Sequence, residues 1–260
     1  MRLAIIAPNA YLQDFSAFHN NSYHLVLAHR FNSEPEYRSF YIEQRKKTHS
    51  FIILDNGACE LGESINNGTL LETASVLRPD VLVLPDVLHQ SQATIARTEK
   101  FIESYKHQNK IKCKLMAVVQ GKTRKEWLST LSSFTSNPYI DMIGISSTNA
   151  VYPKTKNYYT RIKTLRYLHQ RQLIGKKKIH MLGLDDSGHF ELRHFSKYSF
   201  IEGADSSAPV VHGAKGIKIY KNKRYEKIRT YLPSDAILTK EQVLAVKANL
   251  QVFFDMASHE

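Results

Sequence analysis

Cysteine is nearly absent: Cys59 and Cys113 are the only two in 260 residues, far apart and in no metal-ligand spacing. That excludes a disulfide-stapled scaffold and a four-cysteine zinc site, and it makes a reducing cytoplasm the expected compartment. No run of about 18 uncharged apolar residues occurs, so a helical membrane span is excluded. The apolar stretch Leu3 to Ala7 is too short for a secretory leader. The 12 histidines provide no H-E-x-x-H, and His189 and His194, five apart, are expected on the surface or in loops. Internal repeats, low-complexity tracts and linkers are also missing, which points to one domain over 1–260.

Acidic charge is scarce where basic charge gathers. Against 36 Lys plus Arg stand 24 Asp plus Glu, a net +12. Met142 to Leu184 holds no acidic residue and nine basic ones, and Val211 to Tyr231 carries five Lys and two Arg against Glu226 alone. The rest of the chain is therefore slightly acidic. Such localisation suits a face that binds a polyanion. Solvated helix faces and an edge strand would look alike in composition.

What is present is a series of short, β-branched apolar runs: Leu3–Ala7, His24–Ala28, Phe51–Leu54, Val81–Leu84, Leu115–Val119, Met142–Ile145, Ile179–Leu182 and Phe200–Ile201. Continuous apolar runs suit strands buried on both faces of a parallel sheet. Most gaps between them match one crossover helix with its loops. Thr123-Arg124-Lys125-Glu126 is a capping box ahead of Trp127, Leu128, Leu131 and Phe134. Ala93–Tyr105 has helical spacing, and Thr239-Lys240-Glu241-Gln242 opens a closing helix over about 239–257. The spacing predicts a single-domain α/β chain folded as a (β/α)8 TIM barrel. A doubly wound open sheet is the alternative, but no G-x-G-x-x-G follows the first strand. The gap between Ala7 and His24 is too short for a full crossover helix.

In a barrel the chemistry gathers at the C-terminal strand ends. Those ends read Asp55-Asn56-Gly57, Pro85-Asp86, Val119-Gln120-Gly121, Gly144, His180-Met181-Leu182-Gly183 and Asp205-Ser206-Ser207. Two facing carboxylates suit displacement at a sugar carbon, one as nucleophile and one moving protons. A third carboxylate with a carboxamide suits a purine-like edge that mixes donors and acceptors. Taken singly, Asp55 reads equally as an Asx-turn with Asn56-Gly57, and Asp205 as a cap on the following helix.

The order of these residues, over roughly Leu54 to Pro209, resembles the tRNA-guanine transglycosylase superfamily. The short, basic form is closest to its phage-type 7-deazaguanine DNA transglycosylases. The resemblance implies that Asp205 is the nucleophile at the anomeric carbon and Asp55 the general acid/base. It further implies that Asp86 and Gln120 bind the base edge, that Gly144 offers backbone contacts and that Met181 packs on the ring plane. The tRNA enzymes carry a zinc subdomain with a close cysteine cluster; here no cysteine lies beyond Cys113. Lys122 replaces the second glycine after V-Q-G, and Asn56-Gly57-Ala58-Cys59-Glu60 replaces S-G-G-F-Q.

The expected activity is exchange of guanine in DNA for a 7-deazaguanine base (preQ0 or related), with no metal or nucleotide cofactor. Guanine and the 7-deazaguanine are the small-molecule partners, and no membrane is involved. Exchange on tRNA, a hydrolytic glycosylase and a non-catalytic nucleic-acid-binding barrel are the rivals. DNA contacts are expected from Lys154, Lys156 and Arg161 after strand six, among Tyr152, Tyr158 and Tyr159. Lys215, Lys218, Lys221, Lys223 and Arg224 are expected on a hairpin-like basic arm over about 211–231, on the active-site side.

Overall fold

The protein's computed structural model describes residues 1–47, 49–106, 112–147, 159–184, 188–226, 228 and 232–258. Its eight strands are β1 (Arg2–Ile5), β2 (Tyr23–Leu27), β3 (Phe51–Asp55), β4 (Val81–Val83), β5 (Lys114–Val118), β6 (Met142–Ser146), β7 (Lys178–Leu182) and β8 (Ile201–Ser206). The helices are α1 (Ala28–Ser33), α2 (Pro35–Lys46), α3 (Ala58–Leu61), α4 (Asn67–Leu77), α5 (Ser91–Lys106), α6 (Arg124–Ser136), α7 (Tyr159–Gln170), α8 (Gly188–Phe195), α9 (Ala208–Ala214) and α10 (Lys240–Ala257). All paired strands are parallel, in the order β1-β8-β7-β6-β5-β4-β3-β2. The result is a nearly closed (β/α)8 barrel whose one seam lies between β1 and β2.

The short first crossover explains the seam. Instead of a helix it holds three brief helical turns, Asn9–Tyr11, Leu12–Ser16 and Phe18–Asn20. These deliver side chains to the β1 carbonyls that a strand would otherwise satisfy. Ser16 Oγ donates to Ile5 O at 2.9 Å, and Asn21 Nδ2 donates to Leu3 O at 3.0 Å. A buried backbone acceptor needs such a partner, and here side chains supply it.

Period-two alternation sorts the strands into two cores. The inner core holds Ala4, Tyr23, Leu25, Leu27, Ile53, Val81, Val83, Met116, Val118 and Met142, with Ile6, Phe51 and Leu182 against it. The larger outer core lies between sheet and helices and includes Trp127, Phe134, Met181, Ala204 and Phe253. At the N-terminal end Arg2 closes the barrel, its guanidinium 4.7 Å from the Tyr23 ring centroid and 4.1 Å from that of Phe51. Arg2 also pairs with Glu202.

Both capping boxes form. Glu126 N donates to Thr123 Oγ1 at 3.2 Å and Gln242 N to Thr239 Oγ1 at 3.3 Å, with Glu126 and Gln242 bonding back to their cap residues. Each cap stabilises by about 1 kcal/mol. Trp127, Leu131 and Phe134 then bury one face of α6, each contributing about 2 kcal/mol. Among the described residues no helix is long and apolar enough to cross a membrane.

Candidate functional site

Asp55 ends β3 in register with Leu27, and Asp205 near the end of β8 is in register with Ala4. Leu27 and Ala4 face the barrel interior, so both carboxylates do as well, at the C-terminal mouth. Each residue is 9% exposed. The two potential local roles come out differently. Asp55 does make the Asx-turn, its Oδ2 accepting from Gly57 N at 2.8 Å. Gly57 has φ +78°, and a Cβ there would sit 2.9 Å from His29 Nδ1, so the turn depends on glycine. Asp205 caps nothing; Ser206 Oγ accepts from Ala208 N at the start of α9.

Asp205 is held by β7 instead. Its Oδ1 is 3.0 Å from His180 Nε2 and accepts from Gly183 N, also at 3.0 Å. Gly183, at φ +60°, turns the chain just past β7 and aims that N–H inward. Among the described residues Oδ2 makes no hydrogen bond.

Asp86 and Gln120 are brought together as expected, but they engage each other. Gln120 Nε2 donates to Asp86 Oδ2 at 2.6 Å, Asn56 Nδ2 donates to Asp86 Oδ1 at 2.9 Å, and Gln120 Oε1 accepts from His89 N at 3.0 Å. The Asn56, Asp86 and Gln120 side chains are all buried.

The electrostatics set the carboxylates apart. Burial holds Asp55 well above the usual carboxylate range, and the Glu60 charge pushes it further. The Gly57 N–H opposes this, while Asp205 and Asp86 add to it. Burial raises Asp86 too, against the hydrogen bonds from Asn56 and Gln120. Glu60, on α3, is raised by burial and by the charge of Asp205, and its Oε2 is buried without a partner among the described residues. His29 Nδ1, beside Gly57, is likewise buried and unpaired. Asp55 and the half-buried Glu60 are thus both pushed above the usual carboxylate range, and the charge of Glu60 is one cause of the shift at Asp55.

Several expected contacts are corrected. Met181 cannot pack on a ring at the mouth, because its side chain belongs to the outer core; Leu182 is the β7 residue that packs against the inner one. Gly144 is covered, since a Cβ there would meet Leu182 Cδ1 at 2.9 Å and Val118 Cγ2 at 3.1 Å. Arg161 is no surface cation: at 2% exposure it donates from Nε and Nη2 to Glu191 at 3.0 and 2.6 Å and from Nη1 to Leu182 O at 3.1 Å. His189 is buried in α8, with Nε2 3.1 Å from Lys223 O, and His194 is a half-buried residue of the same helix.

Lys154 and Lys156 lie outside the described residues. Lys215, Lys218, Lys221, Lys223 and Arg224 are exposed, though not on a hairpin. Residues 211–214 are the end of α9, and residues 215–226 run without strand structure over α9 and α10, where Ile219 N donates to Asn249 Oδ1 at 2.6 Å; 227 and 229–231 lie outside the described residues. Lys215 follows α9 near the first turn of α10, whereas Lys221 Nζ is 2.8 Å from Asp255 Oδ2 near the other end of α10, the end whose Ala257 O meets the Met1 amine. Residues 215–221 therefore run down the flank of the barrel, and the chain turns back at 223–226, where Lys223 O meets His189 and Glu226 O meets His212.

Sequence reasoning assigns no role to Glu60, Tyr23 or His180. His180 stands inside the H-x-L-G run, and Glu60 lies five residues after Asp55, so spacing places both near the site. Nothing local marks Tyr23. Among the described residues no group of three or more His, Cys, Asp or Glu side chains could hold a metal ion. No family model matches the chain, and no curated protein matches its sequence.

Proposed function

We propose that the protein is a base-exchanging transglycosylase that replaces guanine in DNA with a 7-deazaguanine base. The observation that carries the proposal is the unlike pair of interior carboxylates at one barrel mouth. Asp205 has one oxygen held and the other unengaged, while burial and the charge of Glu60 push Asp55 well above the usual carboxylate range. Unlike environments on two carboxylates divide nucleophile from acid.

In the first half-reaction Asp205 Oδ2 attacks C1′ and the C1′–N9 bond breaks. Its electron pair leaves with guanine, which takes the Asp55 proton. In the second, Asp55 as carboxylate removes the N9 proton of the incoming base. N9 then attacks C1′, and the ester bond to Asp205 breaks, restoring the carboxylate. Asp86, Gln120 and Asn56 hold one another in the free protein, and a purine edge would exchange those internal bonds for its own donors and acceptors. In this reading Leu182, lying over Gly144, takes the ring-packing role instead of Met181.

DNA as the polymer is supported by the exposed cationic flank that carries Lys215, Lys218 and Lys223. A duplex base must leave the stack to reach a barrel mouth, which adds base flipping to the reaction. The test is nucleoside mass spectrometry after incubating the protein with guanine-containing DNA, or tRNA in parallel, and candidate 7-deazaguanines. Modified deoxynucleoside from the wild type and none from Asp205→Ala is the expected result. Product in tRNA alone makes the substrate tRNA. Abasic sites without incorporation make the enzyme a glycosylase.

A further inference from the structure

A line of three side chains crosses the barrel interior from β2 to β8. Tyr23 OH lies 2.8 Å from His180 Nδ1, and His180 Nε2 lies 3.0 Å from Asp205 Oδ1. Tyr23 and His180 are essentially inaccessible, at 1% and 0% exposure. The fold makes room for the line: a Cβ on Gly203 would sit 2.6 Å from Tyr23 Cε1, so only a glycine there lets the phenol lie across the barrel.

The direction of the hydrogen bonds follows from the donors available. Oδ1 already accepts from Gly183 N, and a carboxylate has only lone pairs to offer, so His180 Nε2 must carry a proton and donate. Nδ1 is then free to accept, and the Tyr23 hydroxyl supplies the donor. Burial, the largest influence on Tyr23, keeps its hydroxyl protonated. With a neutral ring the whole line is satisfied in the order Tyr23 O–H to Nδ1 and Nε2–H to Oδ1.

We propose that Tyr23 and His180 are positioning residues for the nucleophile: Tyr23, donating to Nδ1, holds the His180 ring in place, and His180 with Gly183 N–H pins Oδ1 so that Oδ2 is the attacking oxygen. The proposal rests on the reading of Asp205 as nucleophile. When C1′ bonds to Oδ2, Oδ1 becomes the ester carbonyl and keeps both donors, so the same two bonds hold the carboxylate before attack and the ester after it. Groups of this kind act through orientation, which is worth orders of magnitude in rate with little effect on binding.

Two measurements on the full-length protein test this. The first is long-range 1H–15N correlation of the histidine rings, with the His180 signals assigned by their loss in His180→Gln. A single ring proton, on Nε2, is expected in the wild type and in Tyr23→Phe, with the Nδ1 resonance shifted in the variant because Nδ1 has lost its donor. A wild-type ring protonated on Nδ1 overturns the relay. The second is the rate of covalent protein–DNA adduct formation. His180→Leu is expected to slow it about 100-fold at unchanged KM for DNA. His180→Gln, which keeps a donor at the Nε2 position, should recover most of that loss. Equal rates in wild type and His180→Leu overturn the positioning role. A wild type that forms no adduct while its ring carries the proton on Nε2 overturns the assignment of Asp205 as nucleophile, and the positioning role with it, but leaves the relay geometry standing.

Discussion

Asp55 and Glu60 share one physical predicament, since each is a carboxyl group in a place that disfavours its charge. Ionising either makes ionising the other harder, so Asp55 holds its proton to higher pH than an exposed aspartate does, which is what the proposed exchange asks of its acid. Glu60→Gln removes the negative neighbour and lets Asp55 ionise more easily. The alkaline limb of the kcat profile, where Asp55 loses its proton, should then move to lower pH; an unchanged limb would remove Glu60 from the proton chemistry. Asp55→Asn is expected to abolish exchange while raising the melting temperature at pH 8, because it deletes a group whose ionised form the fold disfavours. The Gly57 N–H keeps an acceptor in the asparagine side chain.

At the scale of elements, α7 and α8 govern the ends of β6 and β7 through one buried ion pair. Arg161 on α7 makes two bonds to Glu191 on α8 and one to the Leu182 carbonyl, next to the turn at Gly183 that supplies a donor to Asp205. Arg161→Met takes two charge-assisted bonds from the buried Glu191 carboxylate, a change expected to destabilise by about 3–5 kcal/mol in chemical denaturation. DNA affinity measured on the folded fraction should not change, which would separate this structural cation from a phosphate-binding one.

For the molecule as a whole, two quantities follow from where charge is buried or exposed. His24 and His189 are pushed down to about 4 by burial. Their folded pKa lies below the unfolded value, so the stability they contribute is complete above about pH 6.5 and is lost as pH falls toward 4. Each ring accounts for about 3 kcal/mol over that interval at 1.36 kcal/mol per unit. Thermal unfolding of His24→Leu should accordingly depend less steeply on pH between 6.5 and 4 than that of the wild type. The exposed flank supplies the second quantity. Lys215→Glu with Lys223→Glu is expected to weaken DNA binding and to lower the slope of log K against log salt by about 2, since each phosphate left without its lysine removes about one unit. An unaltered slope would place the DNA elsewhere on the surface.

Local chemistry in the sequence determined a good deal by itself. Eight apolar runs specified eight parallel strands, because strands buried on both faces leave no polar alternation. The Thr123 and Thr239 boxes marked two helix starts, because a cap is satisfied within four residues. The strand-end rule brought Asp55, Asp86, Gln120 and Asp205 to one mouth. Tertiary structure decided what those residues touch. Met181 and Leu182 are neighbours that face opposite sides of the sheet, and composition does not say which faces inward. Arg161 looks like any other cation until Glu191, thirty residues on, is folded against it. The Tyr23–His180–Asp205 line joins β2 to the paired strands β7 and β8, more than 150 residues on, and they meet only once the barrel closes. Hydrogen-bond partners across a barrel are set by the closure of the sheet, and no local pattern carries that information.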